Sequence, residues 1–272
     1  MPVKYSIIIP TKGKCEELLR PLCESIIKYT NLEDVEIIIV SNGSEDNTDE
    51  YVKSLGDPFK LITFPEARGY TISTNDGIKA SVGKYCILLN NDCVLLSQQP
   101  KGVWIDILVE WFLKDEKVGI TGPMKAFCPE AKRDFLIGFC VMVRRDILEE
   151  LAIRKDGEIQ YLDFSFAPAY GEDTDLCCKI EDAGYKVVQV LPTQEYYGPN
   201  QMKGTFPIYH IGNVSFKNWP GGEDLLRRNN GILRERYCTG QPNIENAKGC
   251  DGFMSDVELR WLGKEAMNRG KK

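Results

Sequence analysis

The stretch "YTISTNDGIKASVGKYCILLNND", residues 70–92, decides the fold. Its first half is polar with helical spacing and predicts a helix from about Thr71 to Ser81. "YCILL" (85–89) then forms an unbroken apolar run of strand length. A strand without polar alternation is covered on both faces, and helices alternating with such strands build a mainly parallel sheet. The run stops at Asn90, Asn91 and Asp92, a polar cluster where the strand should end.

The same alternation extends upstream. "YSIII" (5–9), "VEIIIV" (35–40) and "KLITF" (60–64) read as further strands. Leu18, Leu22 and Ile26 share one stripe and Leu19, Cys23 and Ile27 its neighbour, which predicts a helix over 15–29 packed on the sheet. Pro21 fits that helix only near its start, because deeper in it would remove a hydrogen bond and clash with the preceding turn. A second helix should follow "SNGSEDNT", with Ser44 or Asp46 as cap and Asp49 and Glu50 at the positive end of its dipole. A further helix is expected from about Gly102 to Lys114, with Val103, Ile107 and Trp111 on one face. In such sheets ligands bind beyond the carboxyl ends of the strands. That selects the loops "PTKGK" (10–14), "SNGSED" (41–46), "PEARGY" (65–70) and "NNDC" (90–93). After residue 120 the pattern loosens, and "FLIGFCVMV" (135–143) reads as one more buried strand. From about Glu223 there is little periodicity until a short helix expected near Asp256 to Asn268.

Composition excludes several classes. The 272 residues, 43% apolar and 27% charged, suit an ordinary globular chain with a substantial core. A net charge of -6 argues against a surface that coats nucleic acid. The ten cysteines form no CxxC pair and are expected to be mostly free thiols in a reducing compartment. The chain runs directly into "VKYSIIIP", so no signal peptide is expected. The longest apolar run, 135–143, is far short of the ~20 residues that cross a bilayer. A cytoplasmic protein without a transmembrane segment is the expectation.

Neither GxGxxG after a strand nor GxxxxGK[ST] is present, so the two commonest phosphate-binding loops are missing. Other groups must hold a ligand. Asn90 and Asp92, at i and i+2, would point the same way on an extended backbone and face one metal ion or one ribose. An Asx turn closing the strand explains them equally well. His210, the sole histidine, is by itself more often a packed or surface residue than a ligand. In "GEDTDL" (171–176), Asp173 or Thr174 can cap a helix over 174–183 and acids suit its N-terminus. A third carboxylate adds repulsion, the arrangement that poises a base, and on chemistry alone both readings stay open.

Taken together, the motifs resemble the inverting family 2 glycosyltransferases, which carry the GT-A fold. "SIIIPTKGK" resembles the opening strand and its Pro-Thr loop, and "IIIVSNGSEDNT" the second strand with its nucleotide-contacting turn. "ARGYTISTNDGIKASVGKYCILLNNDCVL" is similar to the segment leading into the DxD-like metal site. "GFCVMVRRDIL" followed by "YGEDTDLCCKIEDAGYKV" resembles the acceptor-side strand and Glu-Asp motif, and "YHIGNVSF" the late histidine. The order runs from Tyr5 to about Tyr237. The resemblance implies a nucleoside diphosphate sugar donor and a divalent cation, Mn or Mg, held by Asp92 and His210. It assigns Asp173 as general base and sets Pro10, Thr11, Asn42, Arg68, Asn75, Asn90 and Asn91 around the nucleotide. Gly138, Tyr170 and Glu172 fall on the acceptor side. Asn42 and Asn90 stand where family members commonly carry acids, and an amide supplies no charge to hold a cation.

The implied organisation is a GT-A domain over 1–222, with a nucleotide-binding half to about residue 95 and an acceptor-binding half from about 96. A C-terminal extension over 223–272 would pack on it or stay partly flexible. Glycan, lipid-linked and protein-linked acceptors all remain open, as do oligomeric state and peripheral membrane contact through "WLGKEAMNRGKK". Two other readings compete. A sugar-phosphate nucleotidyltransferase shares the layout but opens with a Gly-rich loop that "PTKGK" lacks. A non-catalytic sugar-nucleotide-binding module would need no base.

Overall fold

The computed structural model describes residues 2–155, 157–191, 195–196, 202–203, 206–212 and 221–238. In chain order these form β1 (Tyr5–Thr11), α1 (Arg20–Tyr29), β2 (Val35–Asn42), α2 (Thr48–Leu55), β3 (Phe59–Phe64), α3 (Tyr70–Ala80), β4 (Tyr85–Leu89) and β5 (Cys93–Leu95). There follow α4 (Val103–Lys114), β6 (Val118–Gly122), β7 (Lys125–Cys128), β8 (Arg133–Leu136), β9 (Cys140–Arg144), α5 (Arg145–Leu151), β10 (Ile153–Lys155) and β11 (Glu158–Gln160). The last elements are α6 (Glu172–Asp182), β12 (Lys186–Gln189), β13 (Glu195–Tyr196), β14 (Met202–Lys203), β15 (Ile208–His210) and α7 (Gly222–Cys238).

Seven strands form the central sheet in the order β12-β6-β9-β4-β1-β2-β3. β1 and β2 are buried at every position, as their unbroken apolar runs predict. Ile7 and Ile9 face a cluster with α1 and α4, whereas Ile8 faces the opposite cluster with Ile78, Leu88 and Val143. Each such side chain contributes about 1.5–3 kcal/mol on leaving water. β1 pairs in parallel with β2 and β4, and β2 with β3, so four carboxyl ends, at Thr11, Asn42, Phe64 and Leu89, emerge on one edge. β12 is parallel to β6. The mainly parallel α/β reading holds.

β9 is the exception, running antiparallel between β4 and β6. Its amino end therefore lies beside the carboxyl end of β4, where Leu89 faces Cys140 and the Asn90 amide donates to the Phe139 carbonyl at 2.8 Å. This reversal carries Gly138 and Phe139 to the ligand-bearing edge. It also corrects the single strand expected over 135–143: β8 ends at Leu136 and β9 starts at Cys140, with Ile137 to Phe139 as the break.

Other sequence expectations shift for physical reasons. A five-residue π-helical turn over Cys15–Leu19 runs directly into α1, with the Arg20 amide bonded to the Cys15 carbonyl, so Pro21 sits where the wider turn gives way to α-helix. The buried stripe of α4 is Trp104, Ile105, Leu108, Val109 and Phe112; the expected Val103, Ile107 and Trp111 lie at its margin and are half-buried. Asp46 accepts from the Thr48 amide at 3.1 Å at the start of α2, while Ser44 accepts instead from the Gly13 amide at 2.9 Å. The sequence reading missed β6 and α7. α7 packs Leu225, Asn229 and Leu233 inward. The helix expected near 256–268 lies outside the described residues. The nine described cysteines are free thiols, and all but Cys238 are buried.

Candidate active site

The edge where these strands end opens into a cavity of about 540 Å³. Pro10, Thr11, Asn42 and Arg68 line one side, and Asn90, Asn91, Asp92 and His210 line the floor. Gly138, Tyr170, Glu172 and Asp173 complete the lining. These groups come from segments more than a hundred positions apart.

The floor is built by a turn and a short ladder. The Cys93 amide donates to the Asn90 carbonyl at 3.3 Å, so 90–93 is a turn and the extended-backbone argument for Asn90 and Asp92 fails. β15 then pairs antiparallel with β5 and sets His210 directly opposite Cys93, which places both side chains on one face. Asp92 Oδ2 is anchored by the Gly212 amide at 3.1 Å. Its other oxygen, Oδ1, stands 3.2 Å from His210 Nε2 without hydrogen-bond alignment, and neither atom has a hydrogen-bond partner. The His210 ring stacks on Phe139, with centroids 4.4 Å apart and planes 11° from parallel. Ligand atoms of Asp92, Cys93 and His210 all lie within 4.8 Å of one another. A carboxylate oxygen and an imidazole nitrogen left bare and facing each other fit a divalent cation of intermediate hardness. Sequence reasoning missed Cys93, whose position opposite His210 is visible only once the ladder is known.

On the other side, Asn91 Nδ2 donates to Thr11 Oγ1 at 2.9 Å, joining the ends of β4 and β1. Asn42 Oδ1 accepts from the Arg68 amide at 2.6 Å and fixes the loop after β3. The Arg68 guanidinium pairs with Asp76 and lies 3.8 Å over the Phe64 ring. Asn75 is the correction. Fully buried in α3, it donates to the carbonyls of Thr71 and Leu162 and accepts from the amides of Tyr161 and Leu162. With its amide consumed by the 161–162 segment, it does not reach the cavity.

The acids of "GEDTD" separate into different tasks. α6 begins at Glu172, after Gly171 at φ 87°, and neither Asp173 nor Thr174 acts as the cap residue outside the helix. Asp173 points into the cavity, accepting from the Gly138 amide at 3.1 Å and from the Thr174 amide at 2.8 Å. Burial raises its carboxyl above the ordinary range, and these amides oppose the rise. Glu172 is pushed up further, by burial first and the Asp173 charge second, and its Oε2 has no hydrogen-bond partner. Asp175 turns away from the cavity to Lys179 at 2.6 Å, Arg236 at 2.8 Å and the Tyr237 hydroxyl at 2.7 Å. Tyr70, which sequence reasoning also missed, lines the cavity and donates to the Gly138 carbonyl at 3.4 Å.

With this geometry in hand, comparison with known proteins gives a consistent picture. Residues 6–130 match Glycosyl transferase family 2. That segment contains Asp92 but neither Asp173 nor His210. O-antigen biosynthesis protein RfbC of Myxococcus xanthus is 31% identical over 129 residues, 47% of this chain and 10% of the relative. Chondroitin synthase of Escherichia coli is 28% identical over 129 residues, 44% of this chain and 17% of the relative. The match thus spans less than a fifth of either relative. Among solved structures, the mannosyltransferase PcManGT from Pyrobaculum calidifontis, in complex with GDP-Man and Mn2+, aligns at a TM-score of 0.57 and 14% identity over 95% of this chain and 80% of that one. GalNAc-T7 with UDP, GalNAc and Mn2+ aligns at 0.64 and 16% identity over 97% and 56%. Their likeness is one of fold, and the family 2 resemblance read from the sequence motifs is borne out over residues 6–130.

Proposed function

We propose that this chain is an inverting glycosyltransferase that moves a sugar from a nucleoside diphosphate sugar to an acceptor hydroxyl. The observation that carries the reading is the set of buried polar atoms facing one cavity without hydrogen-bond partners. These are Arg68 Nε, Asn90 Oδ1, Asp92 Oδ1, His210 Nε2 and Glu172 Oε2. A native fold leaves such atoms bare where a ligand completes them.

Asp92 and His210 would hold Mn or Mg, and the bound cation would supply positive charge to the departing diphosphate. Thr11, Asn42 and Arg68 line the side that would receive the nucleotide. Asp173 takes the proton of the acceptor hydroxyl as that oxygen bonds to the anomeric carbon. The bond from that carbon to the diphosphate oxygen breaks on the opposite face, carrying its electron pair to the leaving group. One displacement inverts the anomeric configuration, and burial that raises the Asp173 carboxyl makes it a better proton acceptor once ionised. Gly138, Tyr170 and Glu172 form the wall on the acceptor side. The acceptor is a glycan, lipid-linked or protein-linked hydroxyl.

The direct test incubates the purified chain with a panel of nucleotide sugars and Mn and measures release of nucleoside diphosphate. A parallel thermal-shift screen of UDP, GDP, dTDP and CDP, with and without Mn, should identify one nucleotide that raises the melting temperature more with metal. Pyrophosphate release from a sugar 1-phosphate and a nucleoside triphosphate would instead establish a nucleotidyltransferase. Nucleotide binding without turnover on any acceptor would reduce the chain to a binding module.

A further inference from the structure

The segment between the 3₁₀ turn over Phe164–Phe166 and α6 has no regular structure, yet its carbonyls from Ser165 to Tyr170 are all occupied. Two adjacent side chains of α7 take five of them. Arg228 donates to the carbonyls of Ser165 at 3.1 Å and Ala167 at 2.6 Å. Asn229 Nδ2 donates to those of Ala169 at 2.8 Å and Tyr170 at 2.6 Å, with Phe166 at 3.4 Å. The sixth, Pro168, accepts from the Thr71 amide at 3.1 Å, at the start of α3 on the nucleotide side. Asn229 Oδ1 in turn accepts from Arg228 Nε at 2.9 Å, so the two donors are locked to each other.

The segment held this way is a wall of the cavity: Pro168, Ala169 and Tyr170 line it, and Glu172 and Asp173 follow directly. Tyr170 sits at φ 73°, a left-handed conformation that a tyrosine adopts only when its surroundings enforce it. Asn229 is fully buried, and its amide is spent on this one segment apart from the Arg228 contact. A helix that needed only to cover apolar surface would place an aliphatic side chain there, between Leu225 and Leu233. An amide at that point is a device for fixing backbone.

We propose that Arg228 and Asn229 are positioning residues. By clamping 165–170 they set the acceptor wall and the angle at which Asp173 meets the incoming hydroxyl, without touching either substrate. This rests on the glycosyl-transfer reading above. The clamp predicts a split: nucleotide affinity, carried by Thr11 and Asn42 at the ends of β1 and β2, should change little, while acceptor-dependent turnover should fall.

The test uses the full chain and three variants. Asn229→Asp replaces the NH2 group and its two donors by one oxygen that repels the carbonyls. Arg228→Met removes an exposed charge and folds even where Asn229→Asp does not. Arg227→Met, at an exposed neighbour paired among the described residues with Asp224 at 2.9 Å, is the control. In Asn229→Asp and Arg228→Met, acceptor kcat/KM should fall about tenfold or more, as misplacement by a fraction of an ångström does. Nucleoside diphosphate affinity should stay within about twofold, and Arg227→Met should match the wild type. Amide hydrogen exchange over 166–173 should quicken in both clamp variants while the sheet stays protected. Unchanged acceptor kinetics in both variants would overturn the clamp and leave glycosyl transfer standing. A wild-type chain that binds no nucleotide would overturn glycosyl transfer instead, and unchanged exchange over 166–173 would then overturn the clamp by itself.

Discussion

The Gly138 amide donates to Asp173 Oδ2 at 3.1 Å, and a Cβ built on Gly138 would stand 3.1 Å from the Asp173 Cβ. The two residues therefore touch through a hydrogen bond and through a packing limit. The Tyr70 hydroxyl holds the carbonyl of the same glycine from the other side. The required feature at 138 is absence of a side chain, since Gly138 is not among the positive-φ glycines.

Gly138→Ala should push the Asp173 carboxylate away from its amide donor and misplace the proposed base. Acceptor-dependent transfer should fall by about 10²-fold, while nucleoside diphosphate affinity stays close to wild type. Steady-state kinetics beside nucleotide titration separate the two. Unaltered transfer would show that the contact yields without consequence.

Asp173→Asn keeps the shape but cannot take a proton, and its one oxygen can accept from only one of the Gly138 and Thr174 amides. Transfer should drop by about 10²–10⁴, and donor binding should persist. Burial disfavours the Asp173 charge, so relief of that cost offsets the backbone amide bond the variant loses, and the melting temperature should change little. Transfer at wild-type rate would remove Asp173 from the base role.

His210→Ala deletes one of the two bare groups on the cavity floor. The Mn concentration giving half-maximal nucleotide-dependent thermal shift should rise at least tenfold, since even outer-shell changes cost about 10–100-fold in metal affinity. The readout is binding, so it does not depend on finding the acceptor. An identical Mn dependence would take the imidazole out of the metal site.

Glu172 makes a pH prediction with a definite sign. Burial and the Asp173 charge raise its carboxyl to about 8, from an ordinary 4.5, so the folded chain holds a proton there that the unfolded chain releases between those values. Its contribution to stability is therefore fully present below about pH 4.5 and is lost as the pH rises toward 8. Glu172→Gln, which cannot ionise, should melt higher than the wild type at pH 8, with the difference shrinking at pH 5. Equal melting temperatures at both values would mean that Glu172 is not desolvated.

Much of this fold was legible because its information is local. The unbroken runs of β1, β2 and β4 announce burial on both faces, and the polar residues at their ends mark the ligand edge. That edge selects the loops that carry Thr11, Arg68 and Asp92, and the family resemblance named the residues within them. Gly138 was reached by resemblance and misread as the interior of one strand, because nothing in "FLIGFCVMV" signals that the chain reverses against β4. Cys93 needs the β5 to β15 register. α7 was hidden by Asn229, a polar residue in the middle of its buried stripe, and by Gly231 beside it. Asn75 misled in the opposite direction: its position after the Arg-Gly pair suggested a ligand contact, while its amide is fully used in joining α3 to the 161–162 segment.

The acids of the "GEDTD" motif allow one further separation. Asp175, 1% exposed, bonds to Lys179, Arg236 and Tyr237 and faces no part of the cavity, so its work is to hold α7 against α6. Asp175→Ala would take the carboxylate acceptor from the Tyr237 hydroxyl and one of two partners from each cation, since Arg236 and Lys179 keep Asp163 at 2.8 and 3.6 Å. A fully buried broken pair costs about 3–5 kcal/mol, but the Arg236 side chain keeps 32% exposure and recovers water, which lowers the expected loss to about 2–3 kcal/mol. For a chain of this size that is a melting temperature lower by about 5–10 °C, with nucleoside diphosphate affinity unchanged below the transition. Asp173→Asn should do the reverse, losing transfer with the smaller change in stability. If Asp175→Ala melted with the wild type, the motif's third acid would not be the structural anchor, and the division of labour along α6 would fail with it.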